Sequence, residues 1–420
     1  MARRSRQQLT ALVDRLGSRG DGIVAHNSGS LFVAGALPGE TVVVEPGRKR
    51  GDGKEAALIS LETSSSDRQQ PHCPHFDRCG GCVMQHAAPD LYATWKRSLL
   101  IDALARRGFA ADVVQPMESA PPGSRRRLRF AVTRRDQSYV PAFRTAHSQN
   151  PIAISTCPVA NSRLLEAATA ACKVLGSRDT TEMEVTLTDT GINLLVAARS
   201  DPDMVLSERF LAFAETFDLA RIVWRSTGRP PYVVAERRMP AIRSGSFTIN
   251  LPPGAFVQPT AWGEDRIRER LAPLVAGAEH VADLFSGCGV LGLSLLPGPR
   301  VEMFEADPAM VQAARLASGN QGPGDTATVR DLEDEPLAGE ELKRFDTIIL
   351  DPPRSGARAQ CEKLAASSVR AIAYVSCHPG TFTRDARILA DGGYHLAAVW
   401  PIDQFLWSHH LELVAHFVRR

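Results

Sequence analysis

The chain has no long apolar run. Nowhere in its 420 residues does it approach the ~18 consecutive apolar residues of a membrane-spanning helix. Its opening, MARRSRQQLTALVDRLGSRG, holds no apolar stretch of signal-peptide length. A cytoplasmic location away from membranes is therefore expected, in a compartment that keeps thiols reduced and disfavours structural disulfides. Charge of one sign is lacking too: 49 Lys and Arg against 47 Asp and Glu leave +2, so net charge identifies no partner. A GxxxxGK[ST] phosphate loop is absent, which argues against a P-loop nucleotide site. No repeat of fixed period appears.

What is present is unevenly spread. Of eight cysteines, Cys73, Cys79 and Cys82 fall within CPHFDRCGGC, a density that points to metal rather than disulfides. Arg125, Arg126, Arg127 and Arg129, followed by Arg134 and Arg135, form a basic run. Such a run is either a solvated face or a set of phosphate contacts.

Three textures divide the chain. Residues 8–62 carry short alternating runs (GIVAHN, SLFVAG, TVVVEPG, EAALISL) split by glycines, the pattern of a small β-barrel. TSSSDRQQ at 63–70 reads as a linker. Residues 63–250 then hold the cysteines, a helix around LYATWKRSLLIDALARRG and strands such as LRFAVTRR and MEVTLTDTGINLLVAAR, an α+β region. In 251–420, HVADLF, VEMFEAD, ATVRDL, DTIILD, AIAYVSC, YHLAAVW and LELVAHFV alternate with helical patterns. That is a doubly wound α/β sheet, whose ligands bind at the carboxyl ends of its strands.

Those ends carry the chemistry. Gly287 and Gly289 in HVADLFSGCGVLGLSLL are read as a G-x-G turn and not as the full dinucleotide fingerprint. Asp283, Glu305, Asp331 and Asp351 stand at successive expected strand ends. Repeated carboxylates suit a ligand with a sugar and an amine but few phosphates, so S-adenosylmethionine fits better than NAD or ATP. Helix capping is the competing use of such acids. Cys377 follows the apolar AIAYVS at the same edge. Its thiol could be an inert core group or a nucleophile whose pKa is lowered by a cation or by the helix expected in TFTRDARIL. Glu412, in SHHLELVAHFV beside His409 and His410, is the candidate general base.

Together these fragments resemble the RNA uracil-5 methyltransferase family, in its iron–sulfur branch, over almost the whole chain. The resemblance rests on ALPGE, C-x5-C-x2-C with the distant Cys157, FVQ, DLFSGCG, DPPRSG, SC-x-P and a terminal H-x-E. It implies a class I methyltransferase (Rossmann-like) domain over 251–420. It also implies a TRAM/OB-like RNA-binding barrel over 8–62 and an iron–sulfur domain over 63–250. Gln258, Phe285, Glu305, Asp331 and Asp351 correspond to S-adenosylmethionine-binding residues, Cys377 to the nucleophile and Glu412 to the base. Cys73, Cys79, Cys82 and Cys157 correspond to the ligands of a [4Fe–4S] cluster, with zinc held by histidines the alternative. The implied substrate is a flipped-out uridine of RNA, with 23S ribosomal RNA favoured over tRNA and no obligate protein partner evident. The family commonly has asparagine where this chain has His378 and Thr260.

Two rivals remain. An amino-methylating enzyme usually follows the double proline with an aromatic residue; here Arg354 follows, and Cys377 would be idle. A non-catalytic RNA-binding protein would have no need of Glu305, Asp351, Cys377 and Glu412 together.

Overall fold

A computed structural model describes residues 8–27, 29–146, 148–175, 180–319 and 326–419. The first seven residues of the opening stretch thus lie outside the described residues. Among the described residues, no helix is long and apolar enough to cross a membrane. Two compact units emerge: residues 1–99 with 144–150 and 405–410, and the remainder.

In the first unit the expected strands form one six-stranded sheet. Its order is 9–12, 41–50, 53–63, 29–33, 22–26, 15–16. Thr41–Arg50 pairs antiparallel with Gly53–Thr63, while Gly29–Val33 runs parallel to the latter. Alternation works as expected: Val42 and Val44 point inward to Val13, Val24, Leu31 and Val33. The ALPGE fragment is structural. Glu40 is fully buried and accepts from Leu37 N at 2.7 Å and from Arg68 Nε at 2.6 Å. Burial opposes its ionisation, yet Arg68 and the Leu37 and Ser65 amides hold its carboxyl below the ordinary range. Residues 63–70 are consequently no free linker. Arg68 pins that stretch to Glu40 and to Gly35 O, at 2.6 Å.

The second unit contains two large sheets. One has the order 151–153, 138–144, 127–135, 180–188, 191–198, 219–226, 232–236. Helices Ser162–Leu175 and Met204–Thr216 supply Leu164, Ala168, Phe210 and Phe213 to its core. The other has the order 326–329, 300–305, 280–284, 347–350, 371–376, 412–419, 394–403, 118–119. Its first five strands are parallel, as the alternating texture implies. The departure from simple double winding lies at the end. Glu412–Arg419 inserts antiparallel between Ala371–Ser376 and Tyr394–Asp403. Residues before position 251 also build this layer: Leu100, Leu104 and Val114 lie in its core, and Glu118–Ser119 forms its edge.

Candidate active site

The antiparallel insertion decides what meets at the sheet edge. Ser376, last in its strand, pairs with Leu413, so Cys377 just beyond it stands beside Glu412, first in the neighbouring strand. A parallel final strand would have carried Glu412 to the opposite edge. Cys377 immediately precedes His378, the N-cap of helix Pro379–Asp391, whose Nδ1 accepts from Thr381 N at 3.2 Å. His378 thereby fills a capping role that asparagine also fills.

The helix start does not make the thiol acidic. Burial and the neighbouring Glu412 charge push Cys377 up to about 11, with Arg354 acting against them. The low thiol pKa expected from sequence is thus not produced by the protein groups around Cys377. Glu412, 3% exposed, is pushed up to about 8 by burial and by Asp351, while Gln404 and Arg354 oppose. That value sits near neutral pH, where a general base works best.

Gln258 reaches the same place from a loop after the hairpin Ala241–Asn250. Buried Arg221 fixes the start of that loop by donating to Leu251 O at 2.8 Å, and Arg126 Nε fixes its end through Gln258 O at 3.0 Å. Thr260 caps helix Ala261–Leu274, its Oγ1 accepting from Gly263 N at 2.8 Å, again a task open to asparagine. Residues 123–126 pair with this loop through Arg126 N and Pro259 O, and on their other side with Pro158 O and Val159 O. The turn after Cys157 is therefore one extended segment away from Gln258.

Part of the basic run is committed to ion pairs within the protein. Arg126 is 7% exposed and pairs with Glu264 at 2.5 Å. Arg127 forks onto both oxygens of Glu184 at 2.9 and 3.0 Å, which Arg129 also contacts at 3.1 Å.

At the cofactor end, strand His280–Leu284 runs into Phe285, whose φ of 61° is costly for a large side chain. Gly292 completes a G-x-G-x-x-G spacing that the bare G-x-G reading overlooked. Each later glycine has a physical cause. A Cβ on Gly289 would stand 2.7 Å from Met303 Sδ, and one on Gly292 would stand 2.8 Å from Asp283 Oδ2. The helix that follows spans only Val290–Leu293, a weak dipole for a pyrophosphate. Glu305 accepts from Gly287 N at 3.0 Å and Asp307 N at 2.9 Å, one amide per oxygen, leaving further lone pairs outward. Asp331 is exposed, two residues past the end of Thr326–Val329. Instead of ending a strand it caps a turn through Glu333 N at 2.9 Å. Phe285, Leu332 and the segment 355–360, which runs into helix Arg358–Ala365, bound a pocket of about 240 Å³.

Asp283 and Asp351 are both pushed up to about 7. Burial is the first cause; Asp351 and Glu305 add repulsion at Asp283, whose Oδ1 has no partner. The site is thus short of positive charge. The DPPRSG turn is held from behind by groups the sequence reading passed over. Asp385 accepts from Ala357 N at 2.8 Å and Tyr374 Oη at 2.7 Å, and Arg384 donates to Ser355 O at 2.9 Å. Only their helical spacing on TFTRDARIL signalled an inward face.

The clustered cysteines lie in residues 71–88, a stretch of turns without helix or extended strand. Gly81 N donates to Cys79 Sγ at 3.5 Å and Cys73 N to Gln85 Oε1 at 3.0 Å. Gln85 is fully buried, yet its Nε2 has no partner, and neither has either ring nitrogen of His86. Among the described residues, no three His, Cys, Asp or Glu side chains converge as one metal ion requires. Cys157 is half-buried in the second unit, its carbonyl accepting from Ala160 N at 3.1 Å.

The family model described as tRNA (Uracil-5-)-methyltransferase matches residues 310–420, the segment holding Asp351, Cys377 and Glu412. An uncharacterised RNA methyltransferase of Rhizobium meliloti (strain 1021) is 38% identical over 97% of this chain and 98% of its own. The 23S rRNA (uracil(1939)-C(5))-methyltransferase RlmD of Shewanella sediminis (strain HAW-EB3) is 30% identical over 98% and 96%. Among solved structures, the Pyrococcus abyssi tRNA (uracil-54, C5)-methyltransferase in complex with S-adenosyl-L-homocysteine shares the fold. Its TM-score is 0.74 at 23% identity, over 97% of this chain and 99% of that one. Near-complete alignment at these identities, with the family motif on the sheet edge just described, makes this chain an enzyme of the RNA (uracil-5-)-methyltransferase family.

Proposed function

We propose that the protein methylates carbon 5 of a uridine in 23S ribosomal RNA through a covalent adduct to Cys377, with S-adenosylmethionine as methyl donor. The observation that carries this reading is the antiparallel register that sets Glu412 beside Cys377. Similarity to the Shewanella sediminis enzyme favours ribosomal over transfer RNA, and an RNA substrate accords with the cytoplasm.

The residues present suit the donor. Asp351 and Glu305 both work against a charge on buried Asp283, and a sulfonium or ammonium would relieve it, whereas a phosphate would not. Phe285 and Leu332 offer apolar surface for a flat base, Glu305 lone pairs for ribose hydroxyls, and Gln258 and Asp351 polar contacts at the reacting end; Asp331 lies near the pocket rim. When bound, the donor supplies an electrophilic methyl group.

Uracil carbon 5 is too weak a nucleophile alone. Addition of the Cys377 sulfur to carbon 6 pushes the C5=C6 electron pair into an enolate, which makes carbon 5 nucleophilic. After methyl transfer, Glu412 takes the carbon 5 proton. The C5–H pair re-forms the double bond and the C6–S pair returns to sulfur. Cys377 stands near 11 with Arg354 already favouring its thiolate, and the donor's positive charge would favour it further. A stacked base cannot reach this edge, so the uridine is flipped out.

For the cysteine segment, Cys73, Cys79, Cys82 and Cys157 would hold a [4Fe–4S] cluster, structural or RNA-orienting in role. A cubane spreads its thiolates over four irons and does not need the tight convergence of one zinc. The Gly81 amide on Cys79 and the unpartnered Gln85 Nε2 are donors of the kind that sulfur accepts. Residues 8–62 would act as an RNA-binding barrel.

The test maps 5-methyluridine in total RNA with and without the protein, then traps the mechanism. Cys377→Ala should transfer no methyl. Glu412→Gln should accumulate a methylated protein–RNA adduct that survives denaturing electrophoresis. Normal turnover by either variant would remove that residue from its role, and methylation confined to tRNA would replace the substrate.

A further inference from the structure

One buried carboxamide joins the two sides of the site. Gln404, 1% exposed, follows strand Tyr394–Asp403. Its Nε2 donates to Glu412 Oε2 and to Gln258 Oε1, both at 2.9 Å. Its Oε1 accepts from Thr260 Oγ1 at 3.4 Å. A carboxamide nitrogen has two hydrogens, and both are committed. A flipped amide would instead set oxygen against the carboxylate and against Gln258 Oε1, so the network assigns the orientation. The packing is close: a Cβ added to Gly263 would stand 2.5 Å from Gln404 Oε1.

We propose that Gln404 is the positioning residue for proton abstraction: it occupies Glu412 Oε2 and so reserves Glu412 Oε1 for the carbon 5 proton. The inference rests on the reading of Glu412 as the base. The proton passes from carbon 5 to Oε1, the C5–H pair becomes the C5=C6 double bond, and the C6–S pair returns to Cys377. A carboxylate tethered at one oxygen keeps the lone pair of the other aimed, whereas an untethered one rotates and spends time misaligned.

The tether also has an electrostatic consequence. A donor to the ionised form favours it, so losing Gln404 raises the pH at which Glu412 can accept a proton. The groups bearing on Glu412 are Asp351, which raises it, and Arg354, which lowers it; the Cys377 thiol in turn responds to Glu412. None of them replaces the donor at Oε2.

The experiment separates adduct formation from adduct release in single turnover with labelled methyl donor and substrate RNA. Gln404→Met keeps an unbranched side chain of similar volume and removes both donors. Adduct formation should stay within about threefold of the wild type, release should slow at least tenfold, and the midpoint of the release–pH profile should move upward. Raising the pH should therefore restore part of the lost release. Unchanged release and an unchanged midpoint would overturn the proposal. Equal slowing of both steps would also overturn it, by marking a packing defect. Should the Met variant not fold, Gln404→Asn, which retains a carboxamide one methylene shorter, carries the same comparison. If Glu412→Gln releases product normally, the base assignment fails first, and that result is distinct from either outcome at position 404.

Discussion

The sheet edge around Cys377 and the cysteine segment around Cys79 handle buried polar groups in opposite ways. At the edge, ordinary secondary structure preassembles the site. Strand ends bring Asp351, Cys377 and Glu412 together, and Gln404, Thr260 and Asp385 tie the surrounding loops by hydrogen bonds. In residues 71–88 only turns are present, and Gln85 Nε2 and both His86 nitrogens are buried without partners. Unmet buried donors cost free energy, so the two regions differ in how far the protein itself satisfies its buried polar groups.

That contrast can be broken at either end. The largest expected effect is the loss of iron. Cys79→Ala should yield colourless protein without the ~4 irons of one cluster, and limited proteolysis should cut within 71–88. Cys377→Ala should keep both colour and protection. A colourless wild type purified without oxygen and holding one zinc would erase the distinction.

Next comes Arg126→Ala. It leaves Glu264, 2% exposed, with only the longer contact to Arg268 at 3.7 Å, and breaking such a buried pair costs about 3–5 kcal/mol. The denaturant midpoint should fall, while the salt dependence of RNA binding stays unchanged; a flatter salt slope would return Arg126 to the phosphate contacts.

Smaller is Glu305→Ala. Losing a charged acceptor of ribose hydroxyls should weaken S-adenosylmethionine binding by about 1.5–3 kcal/mol, roughly ten- to hundredfold. Unchanged affinity in calorimetry would remove Glu305 from the site.

The smallest effects concern protons. A cationic ligand favours ionised Asp283 and Asp351, so their values, pushed up to about 7 by the protein, should fall on binding and release protons. Calorimetry at pH 7 in buffers of different ionisation enthalpy reads that release directly. Stability follows the same sign. These two acids and Glu412, at about 8, are raised above unfolded values of about 4. Their contribution is full below that unfolded value and is lost as pH climbs through 7 to 8. The melting temperature of the unliganded protein should drop over that window, and Asp351→Asn should flatten the drop.

Much of this edge was legible in the sequence because its signals are local. Apolar runs marked the strands, and the acids after 280–284 and 300–305, the cysteine after 371–376 and the double proline lay where such strands end. Local signals misled where a side chain answers to a distant partner. The run at 125–129 looked like a charged face because Glu184 and Glu264 are remote in sequence. The polar stretch 63–70 looked like a linker because Glu40 is too. Asp331 looked like a strand end because Arg330, leaving the strand, pairs with Glu341.

The amino-acid sequence by itself determined the strand and helix segments and the glycine turn, since each depends on residues only a few positions apart. Tertiary structure alone decided that the last strand enters antiparallel, that Glu412 therefore opens beside Cys377, and that Gln404 bridges it to Gln258. Register and buried hydrogen-bond partners arise from contacts between segments far apart in the chain, and no short window of residues contains both ends of such a contact.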